Sequence, residues 1–162
     1  MTVRASRPDD VDVLQAINEA GVPGVGALSR GRLAELIGSS AATLVAVDDG
    51  EQIAGFVLVM LEGLPYDSLN YRWVSARYER FAYVDRIAVA GAARGQGIGA
   101  ALYGAVMTRF SGVRPVLLAE VNLAPPNPGS LRFHERLGFR PVGERWEADG
   151  KKGVVYLERV LP

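Results

Sequence analysis

Hydrophobic and polar positions along this chain change period in a regular order. Thr2 to Ala5 reads as a short strand. Pro8, Asp9 and Asp10 supply helix-start residues ahead of Val11, Leu14 and Ile17, whose spacing places them on one face of a helix ending near Gly21. Arg30 to Ile37 predicts a second short helix closed at Gly38. Thr43 to Val47 and Gln52 to Leu61 flank Asp48-Asp49-Gly50, a hairpin signal. Phe81 to Val89 and Val116 to Asn122 predict further strands. Between them, Gly97 to Phe110 carries Ile98, Leu102, Ala105 and Phe110 near one helical face. This is a strand, crossover helix, strand unit. A short helix over Pro128 to Leu137 and two terminal strands, Phe139 to Glu147 and Lys152 to Leu161, complete the order. The sum is a mixed α/β fold, a central mixed sheet of about seven strands flanked by about four helices. No repeat or low-complexity stretch divides it, so residues 1–162 are expected to form a single domain.

Composition narrows the chemistry. Hydrophobic residues at 49% against 22% charged ones suffice for a sizeable core. The formal net charge is zero and the basic residues are scattered, which leaves no electrostatic footprint for nucleic acid or an anionic membrane. Without cysteine there is no disulfide, thiol nucleophile or cysteine metal site, and the lone His134 excludes a multi-histidine site, so no metal is expected. Catalysis falls to carboxylates, hydroxyls, backbone amides and that histidine. Met1 to Arg7 lacks an apolar signal core and the longest apolar run, Ile53 to Leu61, is too short for a bilayer, so the cytoplasm is the expected compartment.

Ala93-Arg94-Gly95-Gln96-Gly97-Ile98-Gly99 joins a predicted strand to a predicted helix. Glycines there let backbone amides approach an anion, and the helix N-terminus adds donors and a favourable dipole. A tight turn with close helix–sheet packing is the plain structural reading of the same residues. Gly91, Gly95 and Gly97 also fit the glycine pattern of short-chain dehydrogenases. That fold needs its loop on the first strand and a Tyr-x-x-x-Lys pair, whereas here the loop lies past mid-chain and neither Lys151 nor Lys152 follows a tyrosine at that spacing. The absence of Gly-Lys-Ser/Thr excludes a triphosphate P-loop.

In context, Arg94-x-x-Gly97-x-Gly99 after Ile87-Ala88-Val89 resembles the coenzyme motif of the GNAT superfamily of N-acetyltransferases. Asn127-Pro-Gly-Ser-Leu-Arg-Phe-His134-Glu-Arg-Leu-Gly138-Phe139 is similar to the family's C-terminal signature, with His134 where a tyrosine is usual. The resemblance implies acetyl-CoA as co-substrate and no metal, with direct transfer to an amine. It implies that Ile87 and Val89 supply backbone contacts to the pantetheine arm and acetyl carbonyl, and that Arg94, Gly95, Gln96, Gly97, Ile98 and Gly99 line the phosphates. Asn127 is a helix N-cap before Pro128 and, by resemblance, also a coenzyme contact. His134 stands at the family's proton-donor position, where an ordinary imidazole exchanges protons near neutrality; a surface or core residue of a short helix is the plain alternative.

Amine acetylation needs a base for the nucleophile, and two acids are placed for it. Strand alternation puts Leu118, Glu120 and Asn122 on one face, and Tyr83, Asp85, Ile87 and Val89 on one face of the neighbouring strand. Glu120-Val121 resembles the Glu-Val of ribosomal-protein N-terminal acetyltransferases, whose glutamate is the base, and Tyr83 stands at the position of the histone-acetyltransferase glutamate. Structural ion pairs with Arg86 or Arg114 are the alternative role for Glu120 and Asp85. The connection from Leu64 to Tyr78 is rich in aromatics. Tyr66, Tyr71 and Trp73, with Asn122, are expected either to wall an acceptor site or, as a helical excursion, to cover the sheet edge or a homodimer contact. The expected function is transfer of acetyl from acetyl-CoA to a small-molecule or peptide amine; the competing one is a catalytically silent acyl-CoA sensor.

Overall fold

The alternating runs pair into one seven-stranded sheet in a computed structural model that describes all 162 residues. Its strands are β1 (Thr2–Ala5), β2 (Ala42–Val47), β3 (Ile53–Leu61), β4 (Ala82–Val89), β5 (Val116–Ala124), β6 (Arg140–Trp146) and β7 (Gly153–Val160), in the order β1-β2-β3-β4-β5-β7-β6. All neighbours are antiparallel except β4 and β5, which the crossover helix makes parallel. The helices are α1 (Val11–Ala20), α2 (Arg30–Ser39), α3 (Leu69–Ser75), α4 (Ile98–Phe110) and α5 (Pro128–Arg136). None is long and apolar enough to cross a membrane.

Both sheet faces are buried. On one, Ile98, Leu102, Val106 and Phe110 of α4 pack on Val57, Val59, Val84 and Leu117. On the other, Leu14, Ile17, Leu33 and Leu36 of α1 and α2 pack on Phe56, Leu58, Met60 and Tyr83. Each such side chain contributes about 1.5–3 kcal/mol of transfer free energy, which is why β2 and β3 read as continuous apolar runs.

The sheet and its helices are those expected, and a fifth α-helix is the helical excursion that the aromatic connection allowed. Ser68 Oγ accepts the Tyr71 N–H to cap α3, and Tyr71 and Val74, three residues apart, bury its inner face. Two expectations are corrected. First, α2 runs on through Gly38 to Ser39, and the Ser40 hydroxyl donates to the Ile37 carbonyl to end it. Second, Tyr83, Asp85, Ile87 and Val89 do not share a face. Leu58 pairs with Arg86 and Val59 with Val84, so Asp85 is an extra residue in β4. Beyond that bulge, Ile87 and Val89 pack on the α4 side, whereas Tyr83 belongs to the α1–α2 side.

Candidate active site

Parallel pairing of β4 with β5 is limited to Ala82–Leu117 and Tyr83–Leu118. Past those rungs the strands diverge, leaving a cleft of about 550 Å³. The free edge of β4 faces it. Ala90 N–H donates to Ala54 O at 2.8 Å, toward β3, so strand alternation aims the N–H and C=O of Val89 and Ile87 the other way, into the opening.

The glycine loop lies at one end. Gly95 and Gly97 both adopt φ of +77°, with nothing within 4 Å of the position a Cβ would take, so the loop presents bare backbone. Backbone N–H groups from Gly95 to Ala100 donate to no other protein group, and α4 has no side-chain cap. Arg94 lines the cleft, whereas Gly95 to Gly99 lie beyond its walls. The Ile98 side chain is core. Gly99 has a packing role, since a Cβ there would sit 2.8 Å from Phe133 Cζ.

At the opposite wall Glu120 is met by polar groups from β4 and α3. Its Oε1 accepts from Tyr83 Oη–H at 2.8 Å and Asn70 Nδ2–H at 3.0 Å, while Oε2 is buried without a partner. Burial, and then the charge of Asp85, push the Glu120 carboxyl up to about 8, against the opposing bonds from Tyr83 and Asn70. Tyr83 is driven far above its ordinary value, chiefly by burial and by Glu120. Asp85 is committed elsewhere: Oδ2 pairs with Arg86 Nε at 2.8 Å and Oδ1 accepts from Tyr66 Oη–H at 2.7 Å. Arg86 Nη1 also donates to Asn18 Oδ1 and Gly26 O, securing the Gly21–Gly26 loop over the cleft.

His134 is buried, at 3% exposure, rather than on a helix surface. Its Nδ1 lies 2.8 Å from the Ser130 carbonyl, which only accepts, so Nδ1 carries the proton. Nε2 then accepts from Tyr103 Oη–H at 2.6 Å. Burial lowers the His134 pKa below its ordinary value. The imidazole is therefore neutral at pH 7, which corrects its reading as an ordinary titrating acid. Tyr103, fully buried and raised by burial, completes an aromatic cage with Phe133 and Phe139 and also lines the cleft. Asn127 caps α5 through Oδ1 to Ser130 N–H at 3.4 Å and faces the cleft.

Tyr66 and Asn122 line the cleft as well, and Asn122 Nδ2 donates to Pro23 O at 2.9 Å. Tyr71 and Trp73 do not line it. Tyr71 donates to Leu61 O and accepts from Leu64 N–H. Trp73 stacks on Tyr156 at 3.9 Å beneath the Arg77 guanidinium, over Gly143, where a Cβ would lie 2.4 Å from its ring. Both fasten α3 to the sheet.

Three cleft residues escape sequence reasoning. Asn70 carries no signal linking it to Glu120, fifty positions away. Arg145 lies in an ordinary polar strand. Tyr103 was legible in principle, because adding it and Val106 to the Ile98–Leu102–Phe110 set widens the apolar arc of α4.

Residues 17–139 match the profile of the acetyltransferase (GNAT) family. No curated protein matches in sequence. Among solved structures, the Escherichia coli ribosomal-protein-S18-alanine N-acetyltransferase superposes with a TM-score of 0.75 at 18% identity, covering 99% of this chain and 93% of its own. Ard1 from Thermoplasma volcanium gives 0.78 at 17% identity, covering 99% and 97%. A phosphinothricin acetyltransferase from Sinorhizobium meliloti in complex with AcCoA gives 0.73 at 20% identity, covering 99% and 88%.

Proposed function

The chain belongs to the acetyltransferase (GNAT) family, and from that premise we propose that it carries an acetyl group from acetyl-CoA directly to an acceptor's primary amine, with Glu120 as the base. The observation that carries this reading is Glu120 Oε2, a buried, unpartnered carboxylate oxygen in the cleft bordered by the free edge of β4. Acetyl-CoA supplies an activated thioester. The chain's residues suit it: unpartnered amides from Gly95 to Ala100 with Arg94 for pyrophosphate, the edge of Ile87 and Val89 for the pantetheine arm, and Asn127 at the mouth.

Glu120 Oε2 takes the proton from the attacking amine as the new N–C bond forms and the C–S bond breaks. Val89 N–H, directed into the cleft, would stabilise the negative charge that gathers on the acetyl oxygen. As the thiolate leaves, the Tyr103 hydroxyl turns its single proton from His134 Nε2 to hydrogen-bond the sulfur. Its phenol, raised above 10, does not yield its proton to a thiolate of pKa ~8.5, so the sulfur is protonated by water. His134 fixes the Tyr103 hydroxyl by accepting from it in the resting site. Residues 1–162 act as one acetyltransferase domain, with the cytoplasm as its compartment.

Acetyl-CoA at about 100 times its Kd should stabilise the protein by about 2.7 kcal/mol, or roughly 5–10 °C in Tm, while NAD does nothing. Gly97→Glu should abolish the shift. Gly97→Ala, with the same left-handed strain of about 1–2 kcal/mol but no charge, should lower Tm and keep it. Equal shifts with NAD, or none with acetyl-CoA, refute the coenzyme assignment.

A further inference from the structure

Arg145 enters the cleft from β6 and meets no carboxylate. Its Nε donates to Tyr156 Oη at 3.1 Å and its Nη2 to Asn70 Oδ1 at 3.2 Å, while Nη1 has no protein partner. None of the ion pairs in the molecule includes it. The side chain is half-buried among the cleft walls. A guanidinium in such a setting is normally matched by an acid, because partial desolvation of a lone cation is costly. Glu147, just past the end of β6, is exposed at the rim and makes no ion pair with it.

The group is also held in place. Tyr156 Oη–H donates to Asn70 Oδ1 at 2.8 Å, so two neutral acceptors orient the guanidinium plane without neutralising it. The other end of the same carboxamide donates to Glu120 Oε1. One asparagine side chain therefore separates the unpartnered carboxylate oxygen from the unpartnered guanidinium nitrogen. A cation and a base held one carboxamide apart, both facing the same space, match a small molecule with an amine and an anion a few bonds apart.

Resting on the transferase reading above, we infer that the acceptor is a small amine bearing a carboxylate, of the amino-acid class, with the carboxylate bound by Arg145 and the amine presented to Glu120 Oε2. Arg145 is a binding residue and its planar fork suits a carboxylate in two-point contact. A peptide N-terminus lacks that carboxylate next to its amine and loses the contact.

The test uses binding, so that it stands apart from turnover. CoA-loaded protein is titrated calorimetrically with the natural amino acids, their carboxamides, the decarboxylated amines, and dipeptides with the same first residue. The best amino acid should bind about 10- to 100-fold more tightly than its three analogues, the usual worth of a charge-assisted hydrogen bond. Arg145→Gln, which keeps a donor for Tyr156 and Asn70, should reduce that preference to less than about 3-fold, and Arg145→Lys should retain an intermediate part. Melting temperatures within a few degrees of wild type certify both variants as folded. If no amino acid outbinds its amide, amine and dipeptide, or if Arg145→Gln keeps the preference, the assignment is overturned. CoA release from acetyl-CoA in parallel samples reads the transferase proposal on its own: discrimination without turnover keeps the carboxylate site and removes the transferase.

Discussion

Replacing Glu120 by glutamine should slow acetyl transfer and stabilise the fold, in a pH-dependent way. The amide keeps an oxygen for Tyr83 and Asn70 and puts an uncharged nitrogen where Oε2 lies buried. In the wild type the carboxyl titrates near 8, against 4.5 for the open chain, because burial and Asp85 oppose its ionisation. The native state therefore holds an extra proton between those values, so stability falls as pH rises through that window and levels off above it. At about 1.4 kcal/mol per pH unit, full ionisation costs on the order of 4–5 kcal/mol, and water entering the cleft trims this toward about 2 kcal/mol. For a chain of this length that is about 4–8 °C in Tm. Glu120→Gln should thus melt within a degree or two of wild type near pH 5 and several degrees above it near pH 9, by scanning calorimetry. Wild-type kcat/KM should rise with pH to a plateau above about 8, and the variant should lose roughly 100-fold or more. A Tm difference that is the same at both pH values refutes the raised carboxyl, and a wild-type rate in the variant refutes the base.

Two further outcomes follow from the same site. Asp85→Asn leaves Arg86 without its buried acid, which should cost about 3–5 kcal/mol by denaturant unfolding, and it removes the charge that raises Glu120, so the midpoint of the pH–rate profile should move to lower pH. An unmoved midpoint argues that Asp85 does not act on Glu120. His134→Ala removes the acceptor of the buried Tyr103 hydroxyl and opens a hole in the aromatic cage, so it should lose about 2–4 kcal/mol and part of its turnover; an unchanged Tm refutes the buried, hydrogen-bonded imidazole.

Legibility in the sequence followed the range of the interaction. Strands and long helices were readable because period and end signals are local: Thr2–Ala5 is a strand as expected, and Pro128 opens α5 behind an Asn127 cap. The seven residues of α3 carry no decisive local signal, because so short a helix depends on tertiary contacts such as Trp73 on Tyr156. The nearness of Glu120 to Tyr83 followed from adjacent strands of known alternation. Its bond to Asn70, the neutral state of His134 beside Tyr103, and the unpaired Arg145 depend on elements brought together only by folding.

The bulge at Asp85 joins these parts. Without the extra residue, Ile87 and Val89 would continue on the face that holds Tyr83, and a regular β4 would have no cause to leave β5 after two rungs. With it, Asp85 and Arg86 both turn toward α1, where they pair with each other and hold the Gly21–Gly26 loop, while the end of β4 swings its free edge into the cleft. One inserted residue thus separates the strand into a stretch that acts on Glu120 through charge and a stretch whose free backbone groups border the cleft. An alternation rule applied straight through the strand cannot anticipate it, because the pairing that shows the slip belongs to β3.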